Sequence, residues 1–576
     1  MYSFVELKKG LKLNIDKHLL KMAILGNTAT QLLATVIEGN AKLEGINLKV
    51  FDSDYNQIAF QLMDSNSETY KFQPDFILLF VSTDKLYEEF LDREIAQKRN
   101  FATDMLEQLI GYWDMIGQNS KAKILQCNFT EINDRAFGNF SGKIDVSFAF
   151  QIRKLNFLLQ EKMQEYASVY PIDLLSIQIQ LGMDKWHNSV LYYNTKMTCD
   201  VNALPYFSKN VTDVLKAMTG QVKKCVVLDL DNTLWGGVVG DDGLGGIEIG
   251  ELGKGHVFVE FQRWLKQLKQ RGVLLAVCSK NNEDIAKEPF ISHEEMILKL
   301  TDITIFVANW NDKASNIKYI QESLNIGMDS FVFIDDNIFE RNLVRNMIPE
   351  ITVPEMPEDP AEYLDFLQKE NLFEIISFAT EDQERTGQYQ AEFLRKELKN
   401  TATSIDTYLK GLDMEGEMRT FEPVKYARIA QLTQRSNQFN LRTVRYAEDD
   451  IARISEDDKY ITAYYTLKDR FGDHGLVSVI ILEKRDKKTV FIDTWLMSCR
   501  VLKRGMEEFV INSLVNLVKK NGYTEIVGEY ISTSKNSMVS DIYERMGFLN
   551  RGDNIYSLNI VDFIQLKTYI KGEYDE

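Results

Sequence analysis

The chain has 576 residues, of which 44% are hydrophobic and 26% are charged, a composition that suits soluble globular domains and leads us to expect about three of them. Its formal net charge of −18 argues against a nucleic-acid partner, and its apolar runs are too short to span a membrane. Five scattered cysteines without a Cys-x-x-Cys pair, and an N-terminus without an apolar segment, favour a cytoplasmic protein.

The first segment, residues 1–217, alternates short apolar runs with helix-like stretches. Strands are predicted within KMAILGNT, INLKVFDSD, DFILLFVST and AKILQCNF. Strands that alternate with helices indicate a parallel sheet with helices on both faces. Thr28 follows the first strand, and Asp184 and His187 have an Asp-x-x-His spacing, which together resemble SGNH esterases. We predict a flavodoxin-like or SGNH-like α/β domain without an assigned hydrolase function, since Thr28 also suits a helix cap.

The second segment, residues 221–362, continues this alternation up to the proline-rich stretch VPEMPEDPAEY. That stretch holds three of the nine prolines of the chain, which is typical of a linker. Four strands are predicted within KKCVVLDLD, VLLAVCSK, DITIFVAN and FVFIDD. We therefore predict a second parallel sheet.

The first of these strands ends in Asp229-x-Asp231-x-Thr233. Residues two apart on an extended chain point the same way, and open parallel sheets bind ligands beyond the carboxyl ends of their strands. One carboxylate can attack phosphorus while the other acts as acid and then as base. Two carboxylates that face an anionic substrate need a cation, and Mg²⁺ suits oxygen ligands. The pattern predicts phosphoryl chemistry.

The other three strand ends supply the remaining groups. Ser279 adds a hydroxyl, Lys313 can neutralise a phosphoryl group, and the pair Asp335 and Asp336 fits metal ligation. The alternative is that such residues serve only as helix caps and turn formers.

These four elements, in this order, resemble the haloacid dehalogenase (HAD) superfamily of phosphohydrolases and phosphotransferases. The resemblance implies that Asp229 forms an aspartyl-phosphate and that Asp231 protonates the leaving group and then activates water. It also implies that Ser279 holds a phosphoryl oxygen and that Lys313 pairs with the nucleophile. By the same resemblance, Mg²⁺ is bound by Asp229, the Asp231 carbonyl and Asp335, with Asp336 in support.

The stretch TLWGGVVGDDGLGGIEIG, which follows Asp231, resembles the FkbH-like branch of that superfamily. This branch implies removal of phosphate from a phosphorylated three-carbon acid and loading of a glyceryl group onto an acyl carrier protein. The intervals Trp235–Val273 and Ser279–Asp335 leave no room for a large cap domain, so we expect a capless, open site. Cys278 is either an acyl-carrying thiol or a buried strand residue.

The third segment, residues 371–576, predicts helices and then antiparallel strands within ITAYYTLKD, GLVSVIILEK and TVFIDTWLMS. Its later part resembles the α+β fold of GCN5-related N-acetyltransferases (GNAT). The resemblance implies binding of acetyl-CoA or another acyl-CoA by Arg500, Lys503, Arg504, Gly505 and Asn536, with Tyr543 as proton donor. Because Lys503 stands where the family has glycine, a domain that binds without catalysis is the alternative.

Together these features predict a three-domain α/β enzyme. We expect a Mg²⁺-dependent phosphatase or phosphotransferase that acts on a small phosphorylated metabolite, coupled to glyceryl- or acetyl-type transfer in glycan or secondary-metabolite biosynthesis. The alternatives are a plain small-molecule phosphatase whose C-terminal domain is not catalytic, and a scaffold that binds a carrier protein.

Overall fold

The computed structural model describes residues 1–378, 387 and 404–574. The chain forms two compact units, Met1–Lys216 and Ala217–Glu576. The first unit ends one residue before the boundary predicted at 217. The second unit contains two separate sheets, and the predicted division at residues 362–371 falls inside it and stays a prediction. Among the described helices, none is long and apolar enough to cross a membrane.

The first unit is built on a five-stranded parallel sheet with the order β2-β1-β3-β4-β5. This is the strand order of flavodoxin-like folds. Its strands are β1 Leu20–Gly26, β2 Leu48–Asp52, β3 Phe76–Phe80, β4 Lys123–Cys127 and β5 Val169–Ile172. Its helices are Phe4–Gly10, Gln31–Leu43, Ile58–Met63, Glu68–Phe72, Thr83–Asp92, Ile95–Lys98, Phe101–Asn119, Phe148–Met163, Leu174–Leu181, Met183–Trp186, Ser189–Thr195 and Leu204–Met218. The four predicted strands are confirmed, and β5 was not predicted.

The second unit begins with a four-stranded parallel sheet with the order β8-β7-β6-β9, which we call the middle sheet. All four of its predicted strands are confirmed: β6 Cys225–Leu228, β7 Leu274–Ser279, β8 Ile303–Ala308 and β9 Phe331–Ile334. Its helices are Val239–Asp242, Lys254–Gln270, Glu283–Ser292, Lys313–Leu324, Ile338–Met347 and Tyr363–Glu370.

The middle sheet is covered on both faces, which explains why its strands are almost entirely apolar. Along β6, Val226 and Leu228 pack into one hydrophobic cluster and Cys225 and Val227 into another. This alternation follows from the two-residue period of side chains along a strand. Each segment between two strands holds at most two α-helices, so no large cap domain is inserted, as predicted.

The C-terminal part of the second unit forms a mixed sheet of nine strands. The strands are β10 Glu415–Arg419, β11 Phe439–Asn440, β12 Tyr460–Asp469, β13 Gly472–Lys484, β14 Thr489–Met497, β15 Glu525–Glu529, β16 Leu549–Gly552, β17 Ile555–Asn559 and β18 Lys571–Tyr574. The three predicted strands correspond to β12, β13 and β14, which are antiparallel as expected. The described helices here are Ile405–Gly411, Tyr426–Arg435, Glu448–Glu456, Met506–Lys520 and Ile542–Arg545.

A short piece of chain fills a gap in this sheet. The parallel strands β14 and β15 pair over four residues and then diverge. Residues 439–441, which we call the bridging segment, lie between the diverging ends, where β11 pairs with β14. Leu441 N donates to Trp495 O at 3.2 Å, and Ile531 N donates to Leu441 O at 2.8 Å. The space between the two strands is therefore occupied by backbone of the same chain.

Close packing in the C-terminal sheet makes a stability prediction possible. A Cβ at Gly528 would collide with the Tyr543 ring, which is buried and stacked on Tyr556. We expect Gly528→Ala to lower the free energy of unfolding by ~1–3 kcal/mol, as overpacking does. Gly411→Ala is the matched control, because a Cβ there meets nothing within 4 Å. Equal unfolding midpoints for the two variants in chemical denaturation would contradict this packing.

Candidate active site

Two acidic residues follow directly after neighbouring strands of the middle sheet and lie next to each other. Leu228 at the end of β6 pairs with Ile334 at the end of β9, so Asp229 and Asp335 are the next residues on neighbouring strands. Asp229 N also donates to Ile334 O at 3.0 Å, which extends the pairing to the acidic residues. The parallel register therefore brings together two carboxylates that lie 106 positions apart in sequence.

Lys313 joins these two carboxylates. It is the first residue of its helix, and Asp312 caps that helix by accepting a hydrogen bond from Ser315 N at 2.8 Å. Lys313 Nζ lies 2.9 Å from Asp229 Oδ1 and 2.6 Å from Asp335 Oδ2. Lys313 is 3% exposed and Asp335 is fully buried. A buried cation is tolerated here because it lies between two anions.

The cluster still has an excess of negative charge. Burial, reinforced by the neighbouring Asp229 carboxylate, raises the pKa of Asp335 to about 7 even though Lys313 opposes the shift. Burial and Asp229 also raise the pKa of Asp336. Burial by itself lowers the pKa of Lys313, but the carboxylates of Asp229 and Asp335 outweigh it and raise that pKa. One lysine therefore does not balance these acids, and a further cation would stabilise their ionised forms.

The residues present fit a divalent metal ion. Asp229, Asp335 and Asp336 each offer a carboxylate oxygen, and these oxygens lie within 4.8 Å of one another. Arg341 holds the backbone of the acidic pair, because its Nη1 donates to the carbonyls of Asp335 at 2.9 Å and Asp336 at 2.6 Å. Carboxylate oxygens are the protein ligands that Mg²⁺ prefers. Three of the four predicted metal residues thus come together through their side chains.

The fourth, Asp231, turns its carboxylate towards the loop that follows β6. Its Oδ1 accepts hydrogen bonds from Trp235 Nε1 at 2.9 Å and from Val239 N at 3.0 Å. Its Oδ2 accepts one from Asn281 Nδ2 at 3.1 Å. Burial raises the pKa of Asp231 in spite of these donors. The Asp231 carboxylate is therefore engaged by this loop and by Asn281, and metal binding by the Asp231 carbonyl stays a prediction.

Sequence reasoning missed both side chains that hold Asp231. Asn281 comes two residues after Ser279, so the strand-end argument that selected Ser279 could have been extended to it. Trp235 lies four residues after Asp231 in a turn, and only the folded loop shows that its indole N–H points back.

The two residues that end β7 face different surroundings. Ser279 is buried, 2% exposed, at the same edge of the sheet as Asp229. Cys278 packs into the opposite hydrophobic cluster, and burial raises the pKa of its thiol to about 12. A buried thiol that stays protonated is a poor acyl carrier, so the structure favours the alternative of a buried strand residue.

The predicted acyl-CoA residues around the start of the helix Met506–Lys520 are engaged within the protein. Lys503 N donates to Glu507 Oε1 at 3.2 Å, so a carboxylate of this helix already occupies a backbone amide that could otherwise bind an anion. Lys503 and Gly505 both have positive φ angles, 62° and 83°. Arg504 is buried, with Nη1 3.6 Å from Asp469 Oδ2. A negative group at the helix start repels a second anion.

The remaining acyl-CoA residues are also engaged inside the fold. Asn536 is fully buried and supports the bridging segment, donating to Asn440 O and to Ile531 O at 2.9 Å each. Tyr543 is 1% exposed, and its hydroxyl lies 3.5 Å from Glu529 O. Arg500 is buried and donates to Ser498 Oγ at 3.2 Å. Their roles in binding acyl-CoA and in proton donation stay predictions that this burial does not favour.

The esterase-like residues of the first unit do not form a nucleophile and base pair. The buried Thr28 hydroxyl donates to the Lys196 carbonyl and lies 3.1 Å from the Thr198 hydroxyl. His187 Nδ1 lies 3.1 Å from Thr198 O and 3.7 Å from Asp84 Oδ1. Thr28 is not a helix cap either, because the next helix is preceded by Thr30. No hydrolase function is assigned to this unit.

Comparison with known proteins gives a match to a family model and a similar crystal structure. The family model described as "FkbH, N-terminal domain" matches residues 21–216. A crystal structure of the N-terminal part of the protein BF1531 from Bacteroides fragilis, containing a phosphatase domain and complexed with Mg, is 45% identical. The match covers 66% of this chain and 100% of that chain, with a TM-score of 0.63.

Two acetyltransferase structures match about a quarter of the chain. The ribosomal-protein-S18-alanine N-acetyltransferase from Escherichia coli is 14% identical, with a TM-score of 0.20, over 25% of this chain and 94% of that chain. The spermidine/spermine N-acetyltransferase SpeG from Vibrio cholerae is 12% identical, with a TM-score of 0.21, over 26% of this chain and 95% of that chain. Among curated proteins, none matches this chain.

The raised pKa of Asp335 predicts pH-dependent metal binding. A protonated carboxyl ligates poorly, and Asp335 loses its proton as the pH rises through about 7. We therefore expect the affinity for Mg²⁺ to be about tenfold higher at pH 8 than at pH 6, as measured by Mg²⁺ titration of thermal stability. Asp335→Asn should remove the binding, whereas Glu322→Gln, on an exposed position, should leave it unchanged. An affinity that does not vary between these pH values would contradict the assignment.

Proposed function

Since this chain belongs to the FkbH-like family, we propose that it is a Mg²⁺-dependent phosphatase or phosphotransferase of the HAD type acting on a small phosphorylated metabolite. The observation that carries the proposal is the position of Asp229. It directly follows the buried strand β6, is paired with Lys313 at 2.9 Å, and shares a metal-type cluster with Asp335 and Asp336. The Mg²⁺ in the similar BF1531 structure supports the choice of metal.

In the first step a carboxylate oxygen of Asp229 attacks the phosphorus atom. The bond from phosphorus to the leaving oxygen breaks, and that oxygen takes a proton from Asp231. Lys313 holds Asp229 Oδ1 in place and adds positive charge where the phosphoryl group is transferred. When bound by Asp229, Asp335 and Asp336, Mg²⁺ would neutralise charge on the phosphoryl oxygens. Ser279, at the same edge of the sheet, would bind one of those oxygens.

In the second step the aspartyl-phosphate on Asp229 is cleaved. Asp231 takes a proton from water while the water oxygen bonds to phosphorus, and the bond from phosphorus to Asp229 breaks. Inorganic phosphate leaves, and both carboxyl groups return to their starting forms. A substrate hydroxyl in place of water would give a phosphotransferase by the same sequence of bonds.

The hydrogen bonds of Asp231 select the oxygen that carries its proton. Oδ1 accepts from two fixed donors, Trp235 Nε1 and Val239 N, so its lone pairs are both engaged. Oδ2 accepts only the Asn281 amide among the described residues. The proton that Asp231 gives to the leaving group is therefore carried on Oδ2. A half-buried acid whose pKa is raised by burial suits the role of proton donor.

The proposed phosphatase could also act together with an acyl transfer reaction. A capless site leaves room for a substrate tethered to an acyl carrier protein, which is compatible with glyceryl or acetyl transfer in glycan or secondary-metabolite biosynthesis. However, the bridging segment, the burial of Tyr543 and the position of Glu507 all act against acyl-CoA binding in the C-terminal sheet. A phosphatase whose C-terminal part is not catalytic is the version that the geometry supports best.

Loss of the nucleophile tests the proposal directly. Asp229→Asn keeps the size of the side chain but cannot attack phosphorus, so we expect Mg²⁺-dependent release of phosphate from p-nitrophenyl phosphate to fall at least about a thousandfold. Asp365→Asn, on an exposed helix, is the control and should keep full activity. Phosphate release that survives in Asp229→Asn would rule out the proposed chemistry.

The indole N–H of Trp235 makes a second test possible. Trp235→Phe removes a donor to ionised Asp231, so the pKa of this carboxyl should rise further. Because the leaving-group step needs protonated Asp231, the alkaline limb of the kcat–pH profile should move to higher pH. Trp264→Phe, on the helix Lys254–Gln270, is the matched control and should leave the profile unchanged. An alkaline limb that stays in place in Trp235→Phe would contradict the hydrogen-bond role.

A further inference from the structure

An ion pair connects the segments that follow the two neighbours of strand β6. Lys280 Nζ lies 2.6 Å from Glu340 Oε1. Lys280 directly follows β7, and Glu340 belongs to the first turn of the helix Ile338–Met347, which follows β9. Because β6 lies between β7 and β9, the pair spans the strand end that leads to Asp229. Neither residue takes part in the phosphoryl transfer proposed above.

The pair lies on the same face of the middle sheet as the nucleophile. Val227 and Cys278 pack into one hydrophobic cluster, and Asp229 and Lys280 each come two residues later. The two-residue period of side chains along a strand therefore directs Asp229 and Lys280 to one face. Lys313, which contacts Asp229, begins a helix that packs into the same cluster. The pair is thus a neighbour of the proposed phosphoryl-transfer centre.

The pair presents hydrogen-bonding groups that the described residues leave unused. An ammonium group has three N–H donors, and Lys280 uses one of them on Glu340 Oε1. Glu340 Oε2 is buried and has no hydrogen-bond partner in the described part of the chain. A buried acceptor without a partner is costly, so a donor is expected beside it. The pair is neutral as a whole, so it favours a polar group and not a further charge.

A hydroxyl group would satisfy both members of the pair at once. Its O–H would donate to Glu340 Oε2, and its oxygen would accept from a second N–H of Lys280. Neighbouring strands are ~4.8 Å apart, a distance that two carbon atoms and a hydroxyl group of a substrate bound at Asp229 can reach. The Lys280 side chain is 39% exposed, so the pair is accessible from solvent.

We infer that Lys280 and Glu340 determine specificity by recognising a hydroxyl group on the leaving group of the substrate. This assignment rests on the proposed function and narrows its substrates to phosphate monoesters with a hydroxyl group near the ester bond. The two residues bind the leaving group, whereas the bond changes at phosphorus stay with Asp229 and Asp231.

A purely structural ion pair would behave differently. It would only hold together the segments after β7 and β9, and its loss would affect all substrates alike. Recognition of a hydroxyl group affects only substrates that carry one. A site built to bind a hydroxyl group discriminates against an analogue without it, because polar groups of the site then stay unpaired. Comparison of substrates therefore separates the two roles.

The test compares Mg²⁺-dependent phosphate release from 2-hydroxyethyl phosphate and from propyl phosphate, which has a methyl group in place of the hydroxyl group. We expect kcat/KM of the wild type to be at least about tenfold higher for 2-hydroxyethyl phosphate. Lys280→Met and Glu340→Ala should abolish this preference, whereas kcat/KM for p-nitrophenyl phosphate, which has no hydroxyl group, should stay within about twofold. Glu340→Gln keeps an acceptor oxygen and should retain more of the preference than Glu340→Ala.

The exposed ion pair of Lys369 and Asp365 supplies matched controls. Lys369→Met and Asp365→Ala should keep the full preference. Equal kcat/KM for the two alkyl phosphates in the wild type, or a preference that survives in both Lys280→Met and Glu340→Ala, would overturn the inference. An equal loss on all three substrates in these two variants would also overturn it, because the pair would then be structural. A wild type that releases no phosphate from any of the three would instead contradict the proposed function, and the inference with it.

Discussion

The middle sheet depends on one buried electrostatic arrangement, in which the Lys313 ammonium lies between the carboxylates of Asp229 and Asp335. Removing any one of these groups would leave the others without compensation in a low-dielectric interior, which is more costly than never burying them. The arrangement requires that two strands end, and one helix begins, at the same height. The parallel register of β6 and β9 and the cap at Asp312 meet this requirement, so the fold of this part is adapted to its charges.

Most of the middle sheet could be predicted from the sequence because two simple sequence patterns determine it. Fully apolar runs of strand length imply strands buried on both faces, and polar residues directly after such runs meet at one edge. These two regularities are enough to predict that Asp229, Asp231, Ser279, Lys313 and Asp335 lie at the same edge of the sheet. These patterns do not predict the hydrogen bonds from Trp235 and Asn281 to Asp231, because those contacts depend on how the loop after β6 folds back.

In the C-terminal part, the strands were predictable but the site was not. The residues Arg500, Lys503 and Gly505 have the spacing of a phosphate-binding helix start, yet spacing does not say which group satisfies the amides. In this chain Glu507 accepts from Lys503 N, and Asn536 is used to hold backbone. Groups that could bind a ligand thus form hydrogen bonds within the protein instead.

The bridging segment also matters for solubility. Where parallel strands separate, each normally presents a row of unpaired amides and carbonyls, and such rows readily recruit strands from other molecules. Here the Leu441 N–H donates to Trp495 O on β14, and the Leu441 carbonyl accepts from Ile531 N, which follows β15. Backbone groups on both sides of the gap are therefore paired at this point. A nine-stranded sheet with an internal cleft is thereby protected against intermolecular pairing and aggregation by three residues of its own backbone.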